Sequence, residues 1–407
     1  MIEERVTMRV PNRLLLLCLV VAAMFCLAGC DDDEMTPQSE NKKGLTYYDA
    51  GDYEKAAEYF ARAIELDNSD MEVHNNYGMT LLQLRRYDEA LQQFEIVLAN
   101  STALAPKKSE TLNKFAIRGK GLVYIQKQNF TDALTCFNNA LDIKAESGWN
   151  IDILYYKANT LECMGYRPSA IDVYTEVLKE DKENVKAYLS RANLYRIEEK
   201  YSEAIADYEK ALSLAEGSYL SYIGLYTCYI QMGEKDKAKS LLEKASRLDV
   251  RTNEDRYYLG QVHYYQKNYK SAKIEMEYAL DQGFSEASYF LGEIALADQK
   301  YEDAIAYFEQ YRASSVTESP TVCNQEVVCY LQLFEYEKAQ QMLDIGLGVP
   351  GSTARQQLLR NQAALYEVQD ELQKAYDTLA EYIVQYPNDN EATSEYKFLK
   401  KRLGLSQ

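Results

Sequence analysis

Histidine, tryptophan, proline and glycine are all scarce in this chain, and the familiar catalytic signatures are missing. The two His residues, His74 and His263, stand far apart without metal-ligand spacing. No GxSxG, GxxxxGK[ST], HExxH or strand-following GxGxxG occurs, which excludes the common nucleophile-elbow, phosphate-cradle, zinc-protease and dinucleotide arrangements. No CxxC pair occurs, so neither a zinc ribbon nor a thioredoxin-like site is indicated. The acidic pairs Asp88-Glu89 and Glu302-Asp303 sit where helices are expected to begin. There they favour the helix dipole, and a general-acid pair is not needed to explain them. The chain is therefore read as a non-enzyme with no cofactor and no metal site.

Seven Pro and 18 Gly in 407 residues leave few helix interruptions and few positions that need a special backbone shape. Positive charge is also short: 45 Lys and Arg against 63 Asp and Glu give a net charge of −18. Such a surface repels phosphate backbones, so no nucleic-acid partner is expected. Nor is the folded part expected to adsorb to anionic lipid. What is plentiful is apolar residues, at 47%, and Tyr, with 36 copies against one Trp. The chain can bury a substantial core, and its length exceeds one ordinary compact core.

Of eight Cys, Cys18, Cys26 and Cys30 lie near the N-terminus, and Cys136, Cys163, Cys228, Cys323 and Cys329 are scattered. The scattered five are odd in number and fall at small apolar positions, so they are expected to be buried thiols without a disulfide framework.

Arg9 and Arg13 precede an apolar run from Leu14 to Leu27, shorter than the roughly 20 residues a spanning helix needs. A basic start, a short apolar stretch and small residues at its end describe a secretory signal. The run ends Leu27-Ala28-Gly29-Cys30, which resembles the lipobox of bacterial lipoproteins. That resemblance implies removal of residues 1–29 and a diacylglyceryl, palmitate-bearing anchor on Cys30. It also implies a home on the extracytoplasmic face of a bacterial cell membrane, with the membrane touched through the lipid anchor only. Asp31-Asp32-Asp33-Glu34 cannot be buried unpaired, so residues 30–36 are expected to form a solvated tether.

From Gly44 onward one pattern recurs about every 34 residues. One copy reads Gly44, Tyr47, Gly51-Asp52-Tyr53-Glu54-Lys55-Ala56, Phe60, Ala63. Others give Gly78 with Tyr87-Asp88-Glu89-Ala90 and Phe94, Gly121 with Phe130-Thr131-Asp132-Ala133 and Phe137, and Gly292 with Tyr301-Glu302-Asp303-Ala304 and Phe308. Small residues let two antiparallel helices approach; large ones fill the space between hairpins, and neighbours must stack to share a core. The pattern resembles tetratricopeptide-repeat proteins over most of the chain. It departs where the usual Trp is replaced by His74, Leu154, Tyr188 or Cys323. The resemblance implies an all-α fold: a right-handed superhelical solenoid of about ten helix-turn-helix repeats over residues 37–388, closed by a C-terminal capping helix within 389–407. The cap is expected from the stripe Tyr396, Leu399 and Leu403, with Lys397, Lys400, Lys401 and Arg402 outside. Longer joints are expected at Ser101–Ser109 and at Glu146–Asn150.

In this family the first helix of each repeat lines the concave side, where peptides lie. Carrying that face over gives Arg118, Tyr155, Asn159, Glu162, Asn193, Arg196, Tyr257, Gln261, Tyr264, Tyr289 and Glu293. Asn can pair with an extended peptide backbone, Arg with a carboxylate, and Tyr offers rigid contact area. Leu45, Met79, Leu122 and Ile125 on the same face suit an apolar partner helix equally well. The expected function is a membrane-anchored scaffold that binds other proteins or peptides in an envelope, secretion or surface complex. The alternative is a solute- or glycan-binding lipoprotein that uses the Tyr-rich concave surface.

Overall fold

The structure is a computed structural model and describes residues 35–145, 148, 150–315, 318–349 and 354–405. The signal, Cys18, Cys26, Cys30, the tether through Glu34 and Glu146 of the second long joint lie outside the described residues. All secondary structure among the described residues is helical. The chain divides at Gly217 into two compact units.

The first unit holds five antiparallel pairs: α1 (Pro37–Asp49) with α2 (Tyr53–Leu66), α3 (Met71–Gln83) with α4 (Tyr87–Asn100), α5 (Pro106–Gln126) with α6 (Phe130–Asp142), α7 (Asn150–Cys163) with α8 (Arg167–Glu180), and α9 (Val185–Ile197) with α10 (Tyr201–Leu214). The second holds α11 (Tyr219–Gln231) with α12 (Lys235–Ala245), α13 (Asn253–Tyr265) with α14 (Tyr269–Asp281), α15 (Ala287–Ala297) with α16 (Tyr301–Ser314), α17 (Pro320–Gln332) with α18 (Tyr336–Gly348), and α19 (Arg355–Val368) with α20 (Leu372–Gln385). A lone α21 (Asn390–Arg402) follows. Each unit is thus an all-α stack of tetratricopeptide-type hairpins. The insertion at Ser101–Ser109 is a single 3-10 turn, Ser101–Ala103, and an N-terminal extension of α5.

Local chemistry fixes where the helices start and turn. Thr36, Asp70, Asn184, Ser218, Thr252 and Asp389 each accept a hydrogen bond from a backbone N–H of the first turn they cap. Each pair closes through one left-handed residue: Gly51, Arg85, Gln128, Gly165, Glu199, Gly233, Lys267, Gln299, Phe334 or Asp370. At the first turn Gly51 N–H donates to Tyr48 O at 3.0 Å and Asp52 N–H to Tyr47 O at 2.9 Å. This double closure satisfies the helix-end carbonyls and sends the chain back antiparallel.

Within a pair, size is matched across the helices. A Cβ added to Gly44 would lie 2.6 Å from the ring of Phe60, sixteen residues on, and Gly78 and Gly121 meet Phe94 and Phe137 in the same way. Where the first helix carries Ala, as at Ala158 and Ala363, the partner is Tyr174 or Leu379. The fully buried rings contribute roughly 2–3 kcal/mol each. Between pairs the interior runs on. One cluster joins Met71, Phe94, Leu112, Phe137 and Ile153 from α3 to α7, and Tyr174 and Leu194 extend the packing to α9. In the second unit Leu242 and Val262, then Met276 and Phe290, then Phe308, Leu343 and Leu365 carry the core from pair to pair.

Among the described residues α21 is a first helix without a second. Asp389 caps it as Asn184 caps α9, and Ala392 and Leu399 fill the buried places that Ala187 and Leu194 hold in α9. At the position where the other first helices carry Gly44, Gly78, Gly121, Ala158, Ala192, Tyr226, Gly260, Gly292, Val327 or Ala363, α21 carries Lys397.

Candidate functional site

Curvature decides which side chains a partner meets. In the first unit α1 touches α3, α3 touches α5 and α5 touches α7. In the second unit α11 touches α13, α13 touches α15 and α17 touches α19. Successive second helices do not pack on each other to that extent. The row of first helices is therefore the inner side of each unit, where the sequence places the candidate residues.

In the first unit the row begins with Arg118 of α5. Its side chain is 11% exposed and lies 3.6 Å from Asp152. The guanidinium sits 5.3 Å from the ring centre of Tyr156 in α7, and its Nε is buried without an acceptor. Tyr155 is buried and donates to Asn184 Oδ1, the cap of α9, so it serves the joint between α7 and α9. Burial pushes its phenol well above the usual range. The Tyr174 hydroxyl lies 2.8 Å from Glu162 Oε1 and 2.9 Å from Asn159 Oδ1. Burial raises Glu162, and the Tyr174 hydroxyl partly opposes that rise. In the next pair Arg196 Nη2 donates to Asn193 Oδ1 at 2.7 Å. Asn159 with Glu162 and Asn193 with Arg196 occupy equivalent places in α7 and α9, so the charge beside the amide changes sign from one pair to the next.

In the second unit Glu293 of α15 is the centre. Its Oε2 accepts from Tyr264 of α13 at 3.1 Å and its Oε1 from the Gln325 amide of α17 at 2.5 Å. Three first helices are thereby joined by one carboxylate. Burial raises Glu293 above the usual carboxylate range, against the two hydrogen bonds. Tyr264 and Tyr289 are pushed far up, by burial first and by the Glu293 charge second. Tyr289 packs edge-on to Phe290, ring centres 5.3 Å apart, and is half-buried. Tyr257 and Gln261 are buried, and Tyr257 stacks on Phe284 at 5.7 Å, so both belong to the core.

The structure therefore brings Tyr264, Tyr289 and Glu293 together, keeps Asn159, Glu162, Asn193 and Arg196 partly exposed along the inner row, leaves Arg118 mostly covered there, and withdraws Tyr155, Tyr257 and Gln261. Sequence reasoning missed Gln325, and also Asn324, whose Oδ1 accepts from Asn361 at 2.9 Å between α17 and α19. It missed Arg191, which grips Asp207 through two bonds of 2.7 and 2.8 Å. Those partners lie in other helices, and no local spacing announces them. His74 is buried, its ring nitrogens 2.7 Å from Gln93 Oε1 and 3.1 Å from Asn68 O. The thiols differ in part from expectation. Cys228, Cys323 and Cys329 are buried, but Cys136 is half-buried and Cys163, the last residue of α7, is exposed. Burial lifts Cys323 and Cys329 to about 12, which makes them poor nucleophiles.

Among the described residues no three His, Cys, Asp or Glu side chains converge to hold a metal ion. Nor is any helix there long and apolar enough to cross a membrane. The arrangement offers hydrogen-bonding amides, half-buried charges of both signs and aromatic faces along a helical row.

The tetratricopeptide-repeat family model matches residues 41–105, 158–219 and 257–316, and those segments carry these repeats. A second family model, regulator of microtubule dynamics protein 1-3, matches residues 196–270. Hsp70-Hsp90 organizing protein 3 of Arabidopsis thaliana is 22% identical over 57% of this chain and 40% of its own length. DnaJ homolog subfamily C member 3 of Bos taurus is 32% identical over 35% of this chain and 26% of its own. The chain thus spans two fifths or less of these curated relatives. A solved tetratricopeptide-repeat protein from Parabacteroides merdae covers 72% of this chain and 98% of its own, with a TM-score of 0.45 and 17% identity.

Proposed function

We propose that this chain is a lipid-anchored scaffold that binds other proteins or extended peptides along its inner helix rows, outside the cytoplasmic membrane. The observation that supports it most is the repetition of one polar place in consecutive first helices, Asn159 with Glu162 and Asn193 with Arg196. A peptide backbone runs past such groups at regular intervals, and amides spaced by the repeat meet it at each interval. Arg196, partly exposed beside Asn193, supplies a place for a carboxylate. The anchor rests on Leu27-Ala28-Gly29-Cys30 and the basic, apolar stretch before it. The relatives named for organizing Hsp70 and Hsp90 are in keeping with a binding role.

Crosslinking in the native cell, with identification of the attached proteins, tests the binding role. A Cys30→Ala chain should leave the membrane fraction, and retention equal to wild type rejects the anchor. An Arg118→Ala, Arg196→Ala double variant should recover roughly tenfold less of the crosslinked partner; equal recovery rejects the inner row of the first unit. A second reading is favoured by the Tyr264, Tyr289 and Glu293 cluster, because aromatic faces beside a carboxylate also suit a sugar ring. Thermal shift against glycans separates it: a rise lost in Tyr289→Ala supports solute binding.

A further inference from the structure

The last helix carries a charge pattern unlike the rest of the chain. Residues 396–405 hold Lys397, Lys400, Lys401 and Arg402 and no acidic residue, in a protein of net charge −18. Lys397 and Lys401 are exposed and Lys400 is half-buried. Arg402 lies 3.5 Å from Asp370, while the three lysines make no ion pair among the described residues. Phe398 and Leu405 stand among them, 59% and 46% exposed. Lys397, Phe398 and Lys401 share one face at helical spacing. Leu405 is turned back at the helix end, its N–H donating to Lys400 O at 3.0 Å past the left-handed Gly404.

Burial of α21's other face on the second unit explains Tyr396 and Leu399, but not this one. Basic residues at a helix C-terminus favour the dipole. That accounts for the lysines but leaves Phe398 in water. A helix face that sets lysines around an exposed ring suits a soft anionic boundary, where ammonium groups meet phosphates and the ring enters the layer beneath them.

We propose that this face of α21 docks on an anionic phospholipid bilayer. Lys397, Lys400 and Lys401 lie against the headgroup phosphates, and Phe398 and Leu405 enter the interfacial layer. The attraction acts within about 10 Å at ordinary salt. The acidic remainder of the chain is repelled, so adsorption occurs by this end alone. The contact is additional to the acyl anchor and does not depend on it.

The test uses the chain from residue 31 onward, which contains every described helix and no lipidated cysteine. Co-sedimentation is measured with vesicles of phosphatidylglycerol and phosphatidylethanolamine, and with vesicles of phosphatidylcholine. Binding is expected to the anionic vesicles only and to weaken as salt is raised. Lys397→Gln with Lys401→Gln should lower the partition coefficient roughly 20-fold, and Phe398→Ser roughly fivefold. Lys235→Gln with Lys239→Gln removes the same charge from exposed sites on α12 and should change it little. All the substituted side chains are exposed, and unchanged melting confirms that each variant is folded. No binding by the wild type, or equal loss in the α12 control, overturns the proposal. Self-association abolished by the Lys397 and Lys401 pair, without vesicle binding, assigns the face to a second copy and also overturns it. Because no acyl chain is present, these outcomes are independent of the Cys30→Ala result.

Discussion

Gly292 of α15 lies directly beneath the ring of Phe308 in α16: a Cβ built on Gly292 would be 2.5 Å from Phe308 Cε1. Three ring atoms of Phe308 lie within 2.9 Å of that Cβ, so the ring or the helix pair must shift to admit a methyl group. The same residue spacing carries Ala363 with Leu379 in α19 and α20, so the chain contains its own solution for a larger first partner.

Gly292→Ala should therefore cost roughly 1–3 kcal/mol through overpacking. Phe308→Leu alone should cost about 1 kcal/mol through the lost ring. The double variant should recover much of the first loss, giving a coupling energy of about 1 kcal/mol in a double-mutant cycle read by chemical denaturation. Strict additivity would show that the two residues do not constrain each other.

Phe334 occupies the left-handed turn between α17 and α18 at φ 61°, with 75% of its surface exposed. An L-residue there is strained by about 1–2 kcal/mol, and Gly relieves the strain at some cost in chain entropy. Phe334→Gly should raise stability by about 0.5–1 kcal/mol. A lower melting temperature would mean that the exposed ring packs more than its surroundings suggest.

Glu326 of α17 is fully buried and held 3.1 Å from Arg312, which also reaches Glu318. Burial, against the pull of Arg312, pushes its carboxyl from the ordinary 4.5 up to about 7. Glu367, half-buried beside Glu395, is also raised to about 7. Between 4.5 and 7 the folded chain holds protons that the unfolded chain has released. The contribution is complete below the lower value and is lost as pH rises through the upper one. Thermal melts from pH 5 to 8 should show stability falling with pH, on the order of 1–2 kcal/mol, with a shallower slope in Glu326→Gln. An unchanged slope in that variant assigns the effect elsewhere.

Glu293 satisfies both the Tyr264 hydroxyl and the Gln325 amide. Glu293→Ala leaves two half-buried donors without their acceptor and should cost about 2 kcal/mol, whereas Tyr264→Phe removes one donor and should cost about 1 kcal/mol. Denaturation of the two variants checks the order. The reverse order would place Glu293 in solvent rather than between three helices.

The repeat was legible because its residues act over short spans. Tyr53, Tyr87, Phe130, Tyr201, Tyr269 and Tyr301 each start a second helix, and the small residue nine positions earlier packs against a large one later in the pair. The terminal helix followed from the Tyr396 and Leu399 stripe, and Leu399 is fully buried. The inner row was legible only as a row. Tyr155, Tyr257 and Tyr289 hold equivalent places in α7, α13 and α15, yet the first two are buried and the third is half-open. The difference lies in the neighbouring pair. Tyr155 finds Asn184 twenty-nine residues on, and Glu293 finds Gln325 thirty-two residues on, across joints whose length the sequence pattern does not constrain. Cys163 misled for a related reason: it is the last residue of α7, and the apolar position that the pattern assigns it is exposed there.

Lys397 has a consequence for how this chain can change in length. Arrays of this type gain and lose copies by duplication, and a new copy survives only if the seam it enters can close. A hairpin duplicated upstream of Asn390 meets the same apolar seam that α20 now offers to α21. A second helix added after Arg402 would have to enclose an ammonium group in the place of a glycine, at a cost of several kcal/mol. An added hairpin is therefore accommodated more readily between existing pairs than directly against α21.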